Sequence, residues 1–154
     1  YTPGFWDYMF TVVRNPFSRV VSWYHWHDQT WRWPSAVRPW FCGSFAEWVL
    51  LGMPVPDELS KVPPLMYNMR LHVDDGDGGV LKGCNVFKLE DLSDPSKSTW
   101  DELVLAVGCE NAKLFPQHNT SVHKPWQEYY TPELRRIVED RCGEDLDFFG
   151  YKFE

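Results

Sequence analysis

The sequence predicts an α/β domain in which a parallel sheet is flanked by helices. Two short stretches, the apolar residues 8–13 and the mixed residues 84–92, are typical of strands, and a helix signal follows each of them. The first run has no polar alternation, which favours a strand covered on both faces, as in a parallel sheet. With 154 residues, the chain is expected to form one domain with a single core.

The first helix is predicted from the two residues that follow Arg14. Asn15 is a favourable N-cap, and Pro16 at the first helical position loses no hydrogen bond. The helix is therefore expected to begin at Pro16 and to reach about Gln29. Arg14 falls at the carboxyl end of the strand, where open α/β sheets bind their ligands and where helix N-termini offer free N–H groups.

Arg14, Ser18 and Ser22 form the candidate binding site. Ser18 and Ser22 are four residues apart and therefore share one face of the predicted helix. A guanidinium with one or two hydroxyls beside a helix N-terminus suits a phosphate group, because arginine offers a forked donor that matches phosphate oxygens. The alternative is a surface arginine and a helix serine without a ligand.

Composition excludes several classes of function. The 22 acidic residues exceed the 15 lysines and arginines, and the formal charge of −7 argues against a nucleic-acid binder. No apolar run is long enough to span a membrane.

The cysteines Cys42, Cys84, Cys109 and Cys142 form no Cys-x-x-Cys pair, so we expect no metal site. Cys84 and Cys109 are expected to be buried thiols, although one or two disulfides remain an alternative.

Other helices are predicted from their start signals. Ser44 and Glu47 form a capping box for a helix that Gly52 and Pro54 end. A helix from Ser96 or Thr99 to about Val107 is terminated by Gly108. Thr131 and Pro132 start a helix that buries Leu134, Ile137 and Val138. Residues 63–75 show helical spacing only in part, and residues 74–79 are typical of a solvated turn rather than a calcium loop.

The segment from residue 23 to residue 41 is rich in aromatic residues. Trp31, Arg32 and Trp33 lie in its Pro-bounded loop, where aromatic faces stack on sugar rings and an arginine holds an anionic group. One interpretation is an acceptor-binding lip. The other is a tryptophan-rich mini-core that packs a long loop onto the sheet.

The residues from Arg14 to Tyr24 read Arg-Asn-Pro-Phe-Ser-Arg-Val-Val-Ser-Trp-Tyr. This stretch resembles the Arg-x-Pro-x-x-Arg-x-x-Ser-x-Tyr element of the sulfotransferases that use 3′-phosphoadenosine 5′-phosphosulfate (PAPS), especially the carbohydrate sulfotransferase branch. The resemblance implies that Arg14 and Ser22 bind the 3′-phosphate of PAPS and of its product PAP, and that Arg19 has a supporting role. It also implies a fold like that of the P-loop NTPases.

Three later stretches resemble the same family in the same order. Residues 84–92 are similar to the strand that ends in Glu-Asp-Leu, and Glu90 is expected to pair with Arg19. The loop around His118 and Asn119 is similar to one that lies near the nucleotide, with Lys124 as a further phosphate contact; an ordinary polar connection is the alternative. The closing Asp-Leu-Asp-Phe-Phe-Gly-Tyr is similar to a short helix whose aromatics are buried.

The resemblance implies sulfuryl transfer from PAPS to a hydroxyl or amine of an acceptor, which the branch suggests is a carbohydrate. The family's Pro-Lys-x-Gly-Thr-Thr loop and its base precede the Arg-x-Pro element, and neither is found before Arg14. We therefore expect an incomplete N-terminus and assign no catalytic residue. A non-catalytic module that binds a nucleotide or glycan is the alternative. The compartment stays open, being cytoplasmic for a bacterial chain and the Golgi lumen for a eukaryotic one.

Overall fold

The computed structural model describes residues 8–29, 43–54, 68–109 and 123–154. The chain divides into two compact units, one from Tyr1–Arg14 and Leu71–His118, the other from Asn15–Arg70 and Asn119–Glu154. The first unit contains the sheet, and the second contains a helical core rich in aromatic residues. The protein is thus mixed α/β, as predicted. No helix within the described ranges is both long and apolar enough to cross a membrane.

The sheet of the first unit consists of two parallel strands. Strand β1 (Met9–Val13) pairs with β2 (Cys84–Lys88) in a register that runs from Met9 opposite Cys84 to Val13 opposite Lys88. The parallel pairing confirms the prediction, but the expected burial of β1 on both faces is wrong. Met9 and Phe10 are 43% and 44% exposed, because a sheet with two strands in the described residues encloses little more than Val13.

The second strand is shorter than the predicted run of residues 84–92. It ends at Lys88, and Leu89–Leu92 form the short helix α3, with Glu90 and Asp91 in its first turn. Carboxylates are favourable there because a helix N-terminus carries a partial positive charge. Leu92 is buried and anchors this turn in the first unit.

Helix α4 (Thr99–Ala106) follows in the first unit, close to its predicted limits. Ser98 takes the N-cap position, and its hydroxyl donates to the Glu102 carboxylate rather than accepting from the helix backbone. After α4, Gly108 adopts φ +70°, a left-handed conformation that ends helices at low cost with glycine.

The acidic segment between residues 74 and 80 is a solvated turn. Asp75 accepts hydrogen bonds from the backbone N–H groups of Asp77 and Gly79, both at 2.9 Å. Among the described residues, no group of three His, Cys, Asp or Glu side chains is arranged to hold a metal ion. The uncertain helix of residues 63–75 is, in its described part, only a 3₁₀ turn at Arg70–His72.

The second unit begins with helix α1 (Pro16–Gln29), whose limits match the prediction. Its start is capped by Asn15, whose side-chain oxygen accepts from the N–H of Phe17 at 3.0 Å. Helix α2 (Phe45–Leu50) has the predicted capping box between Ser44 and Glu47. Hydrogen bonds from Ser44 lower the pKa of Glu47 because they stabilise its ionised form.

Helix α5 (Pro132–Phe149) is the longest helix of the described residues. Thr131 caps it by accepting from Leu134 N–H, and Gly150 ends it at φ +65°. The prediction of a separate short helix for the closing residues is wrong. The helix continues through Gly143 because its buried face, Leu134, Val138, Cys142 and Asp145, continues past that glycine.

The core of the second unit is built around Phe17. This ring stacks on Trp126 at 6.0 Å and meets Tyr130 and Phe153 edge-on at 5.3 and 4.9 Å. Aromatic pairs in these orientations add stabilisation beyond the area that they bury. The other fully enclosed side chains of this core include Val20, Val21, Trp48, Val49, Met53, Val138 and Cys142.

Replacing Phe17 with alanine is expected to lower the free energy of unfolding by about 3–5 kcal/mol, because the substitution opens a cavity among three aromatic rings. Urea titration followed by tryptophan fluorescence measures this loss. The half-exposed Phe10→Ala is the control and is expected to cost less than about 1 kcal/mol. Equal losses for the two variants would contradict this description of the core.

Candidate functional site

Arg14 follows the last residue of β1 directly, as predicted, and its side chain is half-buried. Ser18 lies in the first turn of α1 and is 6% exposed, whereas Ser22 lies one turn further on and is half-buried. Ser22 is therefore the more accessible of the two hydroxyls. Arg14 belongs to the first unit and the serines to the second, so their joint binding of one group stays a prediction.

The carboxyl edge of the sheet carries opposite charges. Val13 is opposite Lys88, so Arg14 comes directly after the end of β1, and Glu90 comes two residues after the paired end of β2. The carboxyl ends of parallel strands meet at one edge, which places an arginine and an exposed glutamate there within the first unit. The predicted pairing of Glu90 with Arg19, which belongs to the other unit, stays a prediction.

The second unit contains a buried ion pair that sequence reasoning missed. Arg19 of α1 donates from Nη2 to Oδ2 of Asp145 in α5, across 126 positions of sequence. The Asp145 side chain is fully buried, and that of Arg19 is 11% exposed. One signal in the sequence marks Asp145: it is a carboxylate on the apolar face of a helix, in step with Leu134, Val138 and Cys142.

Two backbone N–H groups complete the environment of the Asp145 carboxylate. Met69 donates to Oδ2 and Arg70 to Oδ1, both at 2.9 Å. Both carboxylate oxygens therefore accept hydrogen bonds, as a buried charge requires if it is to offset the loss of hydration. The result joins α1, α5 and the segment at residues 68–70.

Further contacts hold the segment at residues 68–70 against α5. Asn68 donates from its side-chain amide to the Glu144 carboxylate at 2.5 Å, and the Arg70 guanidinium lies 5.3 Å from the centre of the Phe148 ring. Glu144 directly precedes Asp145 in α5, and Phe148 lies about one turn after it. The segment is therefore held by charge, amide and ring contacts together.

The start of α1 is fixed by two other parts of the second unit. The side-chain amide of Asn15 donates to the backbone oxygen of Lys152 at 3.1 Å. The Tyr130 hydroxyl donates to the backbone oxygen of Phe17 at 2.9 Å, and burial raises the pKa of this tyrosine. The helix that carries Ser18 and Ser22 thus has a defined position from its first residue.

His25 lies at the centre of a second polar cluster, near the middle of α1. Its Nε2 and the Tyr129 hydroxyl share a hydrogen bond of 2.7 Å, and its ring stacks on His123 at 5.1 Å with an interplanar angle of 15°. His123 Nδ1 donates to the backbone oxygen of Lys124 at 2.7 Å. Burial raises the pKa of Tyr129, because it disfavours the ionised form of the hydroxyl.

Lys124, a predicted phosphate contact, is exposed beside this cluster. Its ammonium donates to the backbone oxygen of Glu128 at 2.9 Å and lies 4.7 Å from the centre of the Tyr129 ring. A lysine has three N–H donors, so these contacts leave capacity for an anion. Its role as a phosphate contact stays a prediction.

Several predicted site residues lie outside the described residues: His118, Asn119, Trp31, Arg32 and Trp33.

Of the cysteines in the described ranges, Cys84, Cys109 and Cys142 have free thiols. Cys109 is exposed, so its predicted burial is wrong: it follows the last turn of α4, past Gly108. Burial raises the pKa of Cys142 to about 11, and the nearby Arg19 opposes that rise.

Comparisons with models of protein families, with curated proteins and with solved structures found no match to this chain. The residues and their geometry are therefore the basis for assigning a function.

Breaking the buried ion pair is expected to destabilise the second unit. Asp145→Asn leaves the Arg19 guanidinium buried without its counter-charge, and such losses amount to about 3–5 kcal/mol. Thermal and urea unfolding measure the change, with the exposed Asp147→Asn on the same helix as the control. The double variant Arg19→Gln/Asp145→Asn is expected to lose less than the sum of the single variants, and strict additivity would contradict the pairing.

The Cys142 thiol is expected to resist alkylation in the folded protein. Iodoacetamide at neutral pH modifies Cys109 first, because Cys142 is buried and protonated. The pKa of the Cys142 thiol is higher in the folded protein than in the unfolded protein. The contribution of the buried thiol to the free energy of unfolding is therefore complete below the unfolded pKa and is lost as the pH rises towards about 11. Peptide mass spectrometry measures the order of modification, and early labelling of Cys142 would contradict its burial.

Proposed function

We propose that this chain provides the 3′-phosphate-binding part of a PAPS-dependent sulfotransferase that acts on a hydroxyl or amine of a carbohydrate acceptor. The observation that carries the proposal is the sequence from Arg14 to Tyr24 together with its local structure. A strand ends at Val13, Arg14 follows, and a helix capped by Asn15 begins at Pro16. In the family that this stretch resembles, the residues that match Arg14 and Ser22 bind the 3′-phosphate, and this local structure is compatible with that role.

The chemistry of these side chains suits a dianionic phosphate ester. Arg14 offers two parallel N–H donors, and Ser22 offers a hydroxyl donor. The first turn of α1 has no acidic residue to repel an anion, and its partial positive charge favours one. In this proposal Arg14 supplies most of the affinity, and Ser22 fixes the orientation of the phosphate.

Glu90 has a supporting role in the proposal. Glu90 follows β2 at the same edge of the sheet where Arg14 follows β1, and in this proposal its carboxylate helps to orient the guanidinium. Arg19 acts differently, because its charge is matched by Asp145 in the core. Arg19 therefore contributes by holding α1, the helix that carries Ser22, rather than by contacting the nucleotide.

In the reaction, PAPS transfers its sulfuryl group in line to the acceptor, and PAP leaves. The residues of this chain bind and orient the nucleotide through its 3′-phosphate, which converts binding energy into positioning of the reacting groups. The acceptor proton passes to a base that the described residues do not identify. Positioning and charge stabilisation dominate such transfers, as they do in phosphoryl transfer.

Isothermal titration calorimetry with PAP tests the phosphate site. We expect PAP to bind at least about tenfold more tightly than adenosine 5′-monophosphate, which lacks the 3′-phosphate. Arg14→Ala is expected to weaken PAP about 10- to 100-fold, and Ser22→Ala about 3- to 10-fold. Neither variant is expected to change the affinity for adenosine 5′-monophosphate by more than about twofold, because only the 3′-phosphate contacts are lost.

Matched variants provide the control. Arg136→Ala removes an exposed arginine from α5, and Ser93→Ala removes an exposed hydroxyl after α3. Both are expected to bind PAP like the original chain. Equal affinities for the two nucleotides, or unchanged PAP affinity in Arg14→Ala, would overturn the proposed site.

Turnover separates an enzyme from a binding module derived from the same fold. Labelled PAPS and a panel of sugar acceptors are incubated with the chain, with a chain extended upstream of Tyr1, and with Arg14→Ala in each. Labelled sulfated sugar that depends on Arg14 supports the transferase. PAP binding without turnover by either chain, with any acceptor, would favour the non-catalytic nucleotide- or glycan-binding module.

A further inference from the structure

A groove on the second unit lies apart from the residues of the proposed nucleotide site. It has a volume of about 500 Å³ and runs between the exposed side of α5 and the closing residues of the chain. Small-molecule sites typically have volumes of about 300–1,000 Å³. The groove is lined by Phe17, Arg135, Glu139, Asp140, Gly143, Leu146, Asp147, Tyr151, Lys152 and Phe153.

Gly143 lies in the middle of the helical face that forms one wall of the groove. Successive residues of an α-helix are 100° apart, so Gly143 lies between Glu139 and Asp147 on that face, one turn from each. A Cβ atom built on Gly143 would meet nothing within 4 Å, and Gly143 has no left-handed φ. Neither a close neighbour nor the backbone conformation requires glycine here.

A glycine in a helix interior is destabilising relative to alanine. A residue that destabilises its own helix, and that no packing contact requires, is expected where a surface must stay open for another molecule. Without a side chain at position 143, a ligand can lie directly on the helix backbone. The glycine at position 143 and the groove thus indicate the same candidate binding surface on α5.

The charged side chains along the groove favour a cationic ligand. Arg135 is already matched, because its guanidinium donates to the Glu139 carboxylate at 2.6 Å and lies 4.7 Å from the centre of the Phe153 ring. Asp140 and Asp147 are exposed and flank Gly143 at three and four residues. Lys152 is the one remaining cation of the lining, and the whole chain has a formal charge of −7.

The opposite wall is aromatic. Phe153 packs on Phe17 and Trp126 and is therefore held in place, and Tyr151 lies two residues before it. Aromatic rings that are fixed in this way can bind flat apolar groups, and they can bind cations over their faces. A ligand that fits both walls has an amine at one end and an aromatic body at the other.

We propose that this groove binds a small organic cation, an arylalkylamine whose alkylammonium lies over Gly143 between Asp140 and Asp147 and whose ring packs on Phe153 and Tyr151. The site is independent of Arg14 and Ser22. It therefore stands or fails separately from the nucleotide site.

Tryptamine is the probe, and 3-indolepropionate, with the same ring and the opposite charge, is the matched ligand control. In a titration of the ¹⁵N-labelled chain, tryptamine is expected to saturate in the submillimolar to millimolar range and to shift the amides of residues 139–153. The 3-indolepropionate is expected to bind at least about tenfold more weakly. Equal binding of the two compounds, no saturation by tryptamine, or shifts centred elsewhere would overturn the proposal.

Substitutions test the two features that define the groove. Asp140→Asn/Asp147→Asn is expected to weaken tryptamine at least about tenfold, whereas Asp77→Asn/Asp101→Asn, which changes the net charge equally on the first unit, leaves it unchanged. Gly143→Ala is expected to weaken tryptamine while raising the melting temperature by about 1–4 °C. Unchanged tryptamine affinity in either groove variant would contradict the site.

Discussion

The carboxylate of Asp145 is the group on which the second unit depends. Burying an unmatched carboxylate is prohibitively costly, and here three donors offset that cost: Arg19 and the backbone N–H groups of Met69 and Arg70. The donors come from two separate parts of the sequence, and the carboxylate comes from a third. Satisfying one buried charge therefore fixes the relative positions of α1, α5 and the segment at residues 68–70.

This constraint bears on the proposed phosphate site. Ser22 lies three residues after Arg19 on α1, about 60° away around the helix axis, so the ion pair of Arg19 also fixes the direction in which Ser22 points. Asn15 and the Tyr130 hydroxyl fix its first turn, and His25 fixes its middle through Tyr129. A helix that is held at three levels can present a hydroxyl without a further cost of ordering, which is what binding a phosphate tightly requires.

Local signals in the sequence were sufficient to predict most helix ends. Asn15 with Pro16, and Ser44 with Glu47, act within a few residues, so the groups that they satisfy are visible in the sequence itself. The end of β2 was harder to predict, because the mixed apolar and polar residues 84–92 do not show where pairing with β1 stops and a helical turn begins. The exposure of β1 likewise depends on how many strands surround it, which is a property of the assembled sheet.

The residues of the candidate site likewise differ in whether local sequence predicts them. Arg14 after a strand and Ser22 in a capped helix follow from local pattern alone, and the structure has that strand, cap and helix. The partner of Arg19 did not follow, because Asp145 lies 126 positions away and its importance depends on burial. The same holds for the stacked rings of His25 and His123, which meet only in the folded chain.

The most direct test of the account is a titration of the ¹⁵N-labelled chain with PAP, followed through backbone amides and arginine Nε–H groups. The account predicts that the largest shifts, saturating together, fall on residues 14–22 and on the Arg14 Nε–H, while the Arg19 Nε–H moves little because Asp145 holds it. Shifts that spare residues 14–22, or a spectrum unchanged by PAP, would contradict the assignment of Arg14 and Ser22 to a nucleotide phosphate.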